Sequence, residues 1–385
     1  MSFVNVLKRG DDFLNEHDRD SSIWRACSYA TCLFTVGASK LVLKTFYNVK
    51  VANLEKLEAA LEDSRKEDRG LLTIMNHMSV VDDPFLWAVF PWRLYRNLDD
   101  IRWGLGADNV CFKNSFFEYF FSLGQILSTK RFGTGPFQGS IDACIRLLSE
   151  NRRTLQNKDS NLSISESLSN EYLLDSSFKR SRPPWVHVFP EGFVLQLFPP
   201  FSNSMRYFKW GTARLILEAT EPPIIVPIFS TGFEKIAPEN TAEQGIKRYL
   251  PANIGAEVNV TIGNRINDNI IEKYRDEWKD LVKKYGDPNN PYDLSHELKY
   301  GKEAEDLRSR VVADLRAHVA HIRSQQALPN EDKKFADPKW WKLYTNSEGV
   351  SDPTVKFIGK NWAVKRFQSF LNVMPEGAND EKNKG

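Results

Sequence analysis

Short apolar runs that stop abruptly at polar, proline- or glycine-bearing turns constrain this chain more than any other feature. Leu71–Met75 follows Arg69-Gly70 and stops at Asn76-His77, and Val186–Phe189 stops at Pro190-Glu191-Gly192. Ile224–Phe229 and Val258–Ile262 have the same character, and Gly124–Ser128 is a further candidate. Runs this short, bounded by turn residues, read as buried strands. Between them, Leu54–Lys66, the segment holding Phe85, Leu86 and Trp87, Phe137–Leu148 and Arg206–Ala219 read as helices. Strands alternating with helices predict an α/β fold with a mixed central sheet flanked by helices. In such a sheet the loops at strand ends bring distant segments together, so chemistry is expected there.

The flanks have a different texture. Residues 1–48 read as an N-terminal helical, membrane-associating region, uncharged from Ala26 to Ser39. That interval is too short and too rich in small polar residues to span a bilayer, which takes about 20 mostly apolar residues, but it suits lying along one. Residues 49–266 form the expected catalytic domain, with a serine- and asparagine-rich insertion at about 149–184. Residues 267–370 read as a charged helical extension packed on that domain, and 371–385 as a mobile tail. Asp11, Asp12, Glu16, Asp18 and Asp20 suit neither a secretory signal nor a cleaved transit peptide. Pro222–Phe233 reads either as a buried strand or as a strand that also touches lipid. Val110–Leu127, with Phe112, Phe116, Phe117, Phe120 and Phe121, reads either as a core helix or as an interfacial face.

With 52 basic and 50 acidic residues the net charge is +2, which leaves no concentrated basic face for nucleic acid. Four dispersed cysteines form neither a disulfide framework nor a metal motif, and His318 and His321 sit in a helical surface stretch. No metal and no cofactor are expected.

The chemistry-bearing segment is Asn76-His77-Met78-Ser79-Val80-Val81-Asp82-Asp83-Pro84. A neutral imidazole can take a proton near pH 7, and a carboxylate beside it fixes the tautomer and stabilises the imidazolium. Five residues of regular helix would set His77 and Asp82 about 140° apart, so an irregular turn must bring them together. Asp83-Pro84 suits a helix start, leaving Asp82 for His77, and Ser79 is read as capping the turn rather than as a nucleophile. Glu191, between Pro190 and Gly192, can orient a substrate hydroxyl while nearby amides receive an anion. Lys130 and Arg131 are phosphate candidates, Arg131 the better because a guanidinium grips two oxygens. Lys113, Arg206, Lys209 and Arg214 are further cations near aromatic residues, with Tyr207 and Trp210 suited to a membrane interface.

These segments together resemble the glycerolipid acyltransferase superfamily, in the form carried by its phospholipid–lysophospholipid transacylases. Asn76-His77-x-Ser79-x-x-Asp82-Asp83-Pro84-x-x-Trp87 resembles the His-x-x-x-x-Asp motif. Gly124 through Arg131 resembles the second motif, Phe189-Pro190-Glu191-Gly192 the third, and Val226-Pro227-Ile228 with Gly232 the fourth. Asn203 to Gly211 is also similar to that family, although Arg131 lies seven positions after Gly124, a departure from the common spacing of the second motif. The resemblance implies His77 as base, Asp82 as its orienter, Glu191 and Gly192 as substrate positioners, and Arg131, Lys130 and Gly124 as the phosphate-binding element. It also implies phospholipids, lysophospholipids, cardiolipin and monolysocardiolipin as substrates. The implied setting is peripheral or monotopic association with mitochondrial membrane faces bordering the intermembrane space, and assemblies with other membrane proteins. The alternatives are an acyltransferase that takes its acyl group from acyl-CoA with the same base, and a noncatalytic lipid-binding scaffold.

Overall fold

The computed structural model describes Leu14 and residues 16–131, 135–149, 181–239, 251–289, 293–347 and 349–358. Most of the expected insertion, the tail 371–385, the Gly133-Thr134 part of the turn after Arg131, and the outer ends of regions 1–48 and 267–370 lie outside them. In chain order the elements are α1 (Ser22–Phe46), β1 (Asn48–Ala52), α2 (Leu54–Glu67), β2 (Leu71–Met75), α3 (Asp82–Val89), β3 (Gly104–Ala107), α4 (Asp108–Cys111), α5 (Ser115–Leu123), β4 (Ile126–Thr129), α6 (Gly139–Leu148) and β5 (Trp185–Val188). They continue with α7 (Trp210–Leu217), β6 (Ile224–Thr231), α8 (Phe233–Ile236), β7 (Glu257–Ile262), α9 (Asp268–Tyr285), α10 (His296–Tyr300), α11 (Lys302–Ser324) and α12 (Pro338–Asn346).

The central sheet is mixed, in the order β1-β7-β6-β2-β5, with β7 antiparallel to β6 and the other pairs parallel. Both faces are covered. Leu72, Ile74, Val186, Val188 and Ile225 point into a cluster built with α6, α7, α9 and α11, while Leu71, Met75, Trp185, Ile224 and Val226 point into one built with α1, α2 and α3. That period-2 division is why these strands are apolar at every position instead of alternating. Pro227 is tolerated in β6 because antiparallel pairing with β7 begins only at Ile228, so the ladder does not miss its absent N–H. The strand within Pro222–Phe233, Ile224–Thr231, is thereby buried from Ile224 to Ser230, which favours the first reading of that segment.

The segment expected to join the central sheet at Gly124–Ser128 instead forms β4 and pairs with β3 in a separate two-stranded sheet. Trp103, just before β3, bridges to Val186 and links that ribbon to the edge strand β5. Strand β1, with only Val49 and Val51 as its apolar alternation, escaped the sequence reading. The helix expected from Arg206 begins only at Trp210, because the amides of Arg206 and Lys209 are bonded to Glu191 and to the Pro190 carbonyl.

Helix α1 runs for 25 residues, beyond the uncharged interval, and by length and composition alone suffices to cross a bilayer. Its polarity is inverted. The buried face carries Ser28, Cys32 and Ser39 beside Val36 and Leu43, with Ser28 Oγ donating to the Leu123 carbonyl and Lys40 Nζ to those of Ala88 and Phe90. The outward face shows Ile23, Phe34 and Leu41 at 79%, 71% and 69% exposure. Separations of 11 and 7 residues put these three within about 20° of one another around the helix. Phe116, Phe117 and Tyr119 of α5 are also exposed, which decides between the two readings of Val110–Leu127 in favour of an outward apolar face.

Candidate active site

The site forms where β2 and β5 end. His77 follows β2 in an irregular loop, and Asp82 opens α3, so the turn between them supplies the convergence that a continuous helix would deny. His77 Nδ1 lies 2.9 Å from Asp82 Oδ2. The same carboxylate oxygen accepts the amides of Met78 at 2.6 Å and Ser79 at 2.8 Å, which fixes the loop around it. Asp82 is fully buried. Burial pushes its carboxyl above the ordinary value, against the pull of His77 and of the Ser79 and Met78 amides. With Nδ1 engaged, Nε2 is the ring nitrogen left for the cavity, and the ring itself stacks on Phe189 at 4.4 Å.

The neighbours of this pair are braces. Asn76 Nδ2 donates to the Ser230 carbonyl and its Oδ1 accepts the Ser230 amide, locking the end of β2 to β6. Ser79 is buried, with Oγ 3.4 Å from the Ala237 carbonyl, a structural position rather than a nucleophile's. Asp83 accepts from Trp87 Nε1 at 2.9 Å and pairs with Arg102, which also donates to the Gly124 carbonyl at 2.9 Å. Pro84 lies in the first turn of α3. Gly124 thus caps α5 and anchors Arg102, and it does not line the cavity, contrary to the expectation that it binds substrate. Gly232 turns the chain after β6 at φ +99°, where a Cβ would stand 2.2 Å from the Glu257 carbonyl oxygen.

Glu191 departs from its expected place. Its carboxylate is wholly buried, Oε1 accepting the His77 amide at 2.8 Å and Oε2 the Arg206 amide at 2.7 Å. Both oxygens are thus engaged by the chain, and Glu191 is not among the described residues that line the cavity: it clips the His77 loop to the segment before α7. Burial pushes this acid up to about 8 against the downward pull of the two amides. Gly192, at φ +72°, passes so close to Lys209 that a Cβ would stand 2.9 Å from its Cε.

His77, Lys130, Arg131, Pro190, Gly192 and Lys209 line a cavity of roughly 900 Å³. Arg131 Nη2 donates to Asn109 Oδ1 at 3.1 Å, and Gln138 holds the backbone of Lys130 from both sides. The lining also includes the apolar Ile141, Leu215, Val312, Ala313, Ala317 and Pro338. Sequence reasoning missed Val312, Ala313 and Ala317 of α11, whose spacing on a charged helix looks like ordinary packing. Of the other cations, Arg214 is buried against Asp142 and Glu218, Arg206 is enclosed by Phe193, Tyr207 and Trp341, and Lys113 is exposed. Among the described residues, no Asp or Glu lines the cavity. A deep apolar trough with a cationic, histidine-bearing wall suits an amphipathic anion bearing a hydrocarbon chain.

Residues 48–231 match the family model described as Acyltransferase. The chain is 59% identical over 378 residues to a tafazzin of Saccharomyces cerevisiae, covering 98% of both proteins. It is 31% identical over 236 residues to a Dictyostelium discoideum protein named Taffazin, covering 60% of this chain and 67% of that protein. It is also 33% identical over 180 residues to the N-acylphosphatidylethanolamine synthase of Arabidopsis thaliana, covering 47% of this chain and 50% of that enzyme.

Proposed function

The chain belongs to the tafazzin family of acyltransferases, and on that premise we propose that it moves fatty acyl chains directly between phospholipids and lysophospholipids, without CoA, and so remodels cardiolipin through monolysocardiolipin. The observation that carries the mechanism is the 2.9 Å His77–Asp82 pair at the edge of a cationic and apolar cavity. His77 Nε2 takes the proton from the free hydroxyl of a lysophospholipid as that oxygen attacks the ester carbonyl of a second phospholipid. Asp82, holding Nδ1, keeps the ring in the productive tautomer and stabilises the imidazolium. When the tetrahedral intermediate collapses, the imidazolium returns its proton to the departing glycerol oxygen. One ester is exchanged for another of similar energy, so the reaction runs in both directions and requires no activated donor.

In this reading Arg131, with Lys130 beside it, receives a headgroup phosphate. Gly192 lets the turn approach Lys209, and Glu191 positions His77 through its amide. The reading keeps the division into an N-terminal membrane-associating region, a catalytic domain and a helical C-terminal extension, with α11 of the extension walling the acyl trough. The outward apolar faces of α1 and α5 support a seat in one leaflet. The inward face of α1 is bonded to the body at Leu123, Ala88 and Phe90, so the helix lies along the protein instead of departing from it. The proposed setting is mitochondrial, on the membrane faces bordering the intermembrane space.

The test is incubation of the purified chain with vesicles of acyl-labelled phospholipid and an unlabelled lysophospholipid, free of CoA. Label is expected in the acceptor. Transfer that appears only when acyl-CoA is supplied would reject direct exchange.

A further inference from the structure

Lys209 lies just ahead of α7 on the cationic wall, with its amide bonded to the Pro190 carbonyl at 2.9 Å. Its Nζ stands 4.1 Å from the centre of the Phe193 ring, and the guanidinium of Arg131 stands 5.8 Å from the same ring. Among the described residues, the ammonium makes no hydrogen bond and no ion pair. Arg316 of α11, which lines the same cavity, is by contrast neutralised by Glu331 at 2.6 Å. A half-buried lysine on a cavity that carries no carboxylate among the described residues suits a ligand that supplies the missing charge.

The geometry points to Lys209 as a second phosphate-binding cation of this site, closing with Arg131 over the Phe193 ring on a single phosphate. This rests on the transacylase reading and deepens it, since it names the group that recognises the headgroup. Burial, reinforced by Arg206 and Arg131, pushes Lys209 down to about 7. His77 and Lys130 also face the cavity, while Glu191 lies behind the turn and is occupied by backbone amides. Near neutrality the unoccupied site therefore holds a mixture of ammonium and amine, and an arriving phosphate draws Lys209 fully into the charged form. The sign follows: affinity is greatest below pH 7 and declines as pH rises, until the raised pKa of the occupied lysine is reached.

The experiment is calorimetric binding of a 1-O-alkyl lysophosphatidylcholine, an acceptor with no transferable ester, to the full chain in buffers of different ionisation enthalpy. Expected at pH 8 is uptake of about 0.9 proton on binding, with affinity falling on the order of tenfold per pH unit above neutrality. Lys209→Met, which keeps an apolar stem beside Gly192 and Phe193, abolishes the uptake. Lys209→Arg also abolishes it while retaining affinity, because arginine stays charged. Glycerophosphocholine, a phosphate without the chain, binds more weakly with the same uptake, and a 1-O-alkylglycerol, a chain without phosphate, binds with none. Unchanged uptake in Lys209→Met, or equal uptake with the alkylglycerol, overturns the assignment. Loss of CoA-free transfer with the proton linkage intact would count against the transacylase reading alone.

Discussion

The two walls of the cavity are made on different principles. The cationic wall is assembled from turns at strand ends, and its side chains are held by hydrogen bonds of defined length. Asp82 grips His77 and two amides, and Glu191 grips two more. The apolar lining comes largely from helices, above all α11, where Val312, Ala313 and Ala317 only bound a volume beside Ser309 and the Glu331-paired Arg316. Directional chemistry needs the first kind of wall, because a proton moves only along a fixed donor–acceptor line. A hydrocarbon chain has no direction to satisfy, so the second kind suffices. Substitutions in the first wall should therefore stop the reaction, and those in the second should change which chains react.

The largest expected effect is that of His77→Ala. Transfer should fall by a factor on the order of 10² to 10⁴, with vesicle binding and thermal stability near those of the parent, as measured by the labelled-acyl assay and a melting curve. Transfer at the parental rate would remove the cationic wall from the chemistry. Next comes Ala313→Phe, which introduces a ring into the trough without touching a hydrogen bond. Long-chain donors should lose about tenfold in kcat/KM relative to short-chain ones, as read from competition between labelled donors. An equal loss for both would show that α11 does not bound the acyl chain. The smallest effect is on stability. Glu191→Gln replaces one of the two accepting oxygens with an NH2 group that only donates, and leaving one amide unpaired costs about 1–3 kcal/mol in denaturant unfolding. The pH dependence has a definite sign. The native acid, raised to about 8, holds its proton where the unfolded chain has released it, so the parent loses stability between about pH 4.5 and 8, and Glu191→Gln should lack that component.

The same contrast explains what could be read from the sequence. His77, Asp82 and Asp83 were legible as a set because an imidazole followed by two acids and a proline marks a helix start that can leave one carboxylate beside the ring. The mixed sheet followed from uninterrupted apolar runs such as Leu71–Met75. Glu191 was misplaced because its partners are amides 114 and 15 residues distant, and an acid between proline and glycine gives no local sign of turning inward. Gly124 resembled a ligand-binding glycine, whereas its carbonyl is an anchor for Arg102. The α11 wall was invisible because small apolar residues acquire a role only when another layer stands opposite.

Arg316 of α11 donates to the carbonyls of Arg206 and Met205 and pairs with Glu331, which accepts the Met205 amide in turn. From Arg206 the connection continues through the Glu191 clip to the backbone of His77. His77, the proposed general base, is thus guyed from a helix more than two hundred residues downstream. A lesion at either Arg316 or Glu331 would slacken that stay, and an assay would register a crippled enzyme although every atom of the reacting pair was untouched.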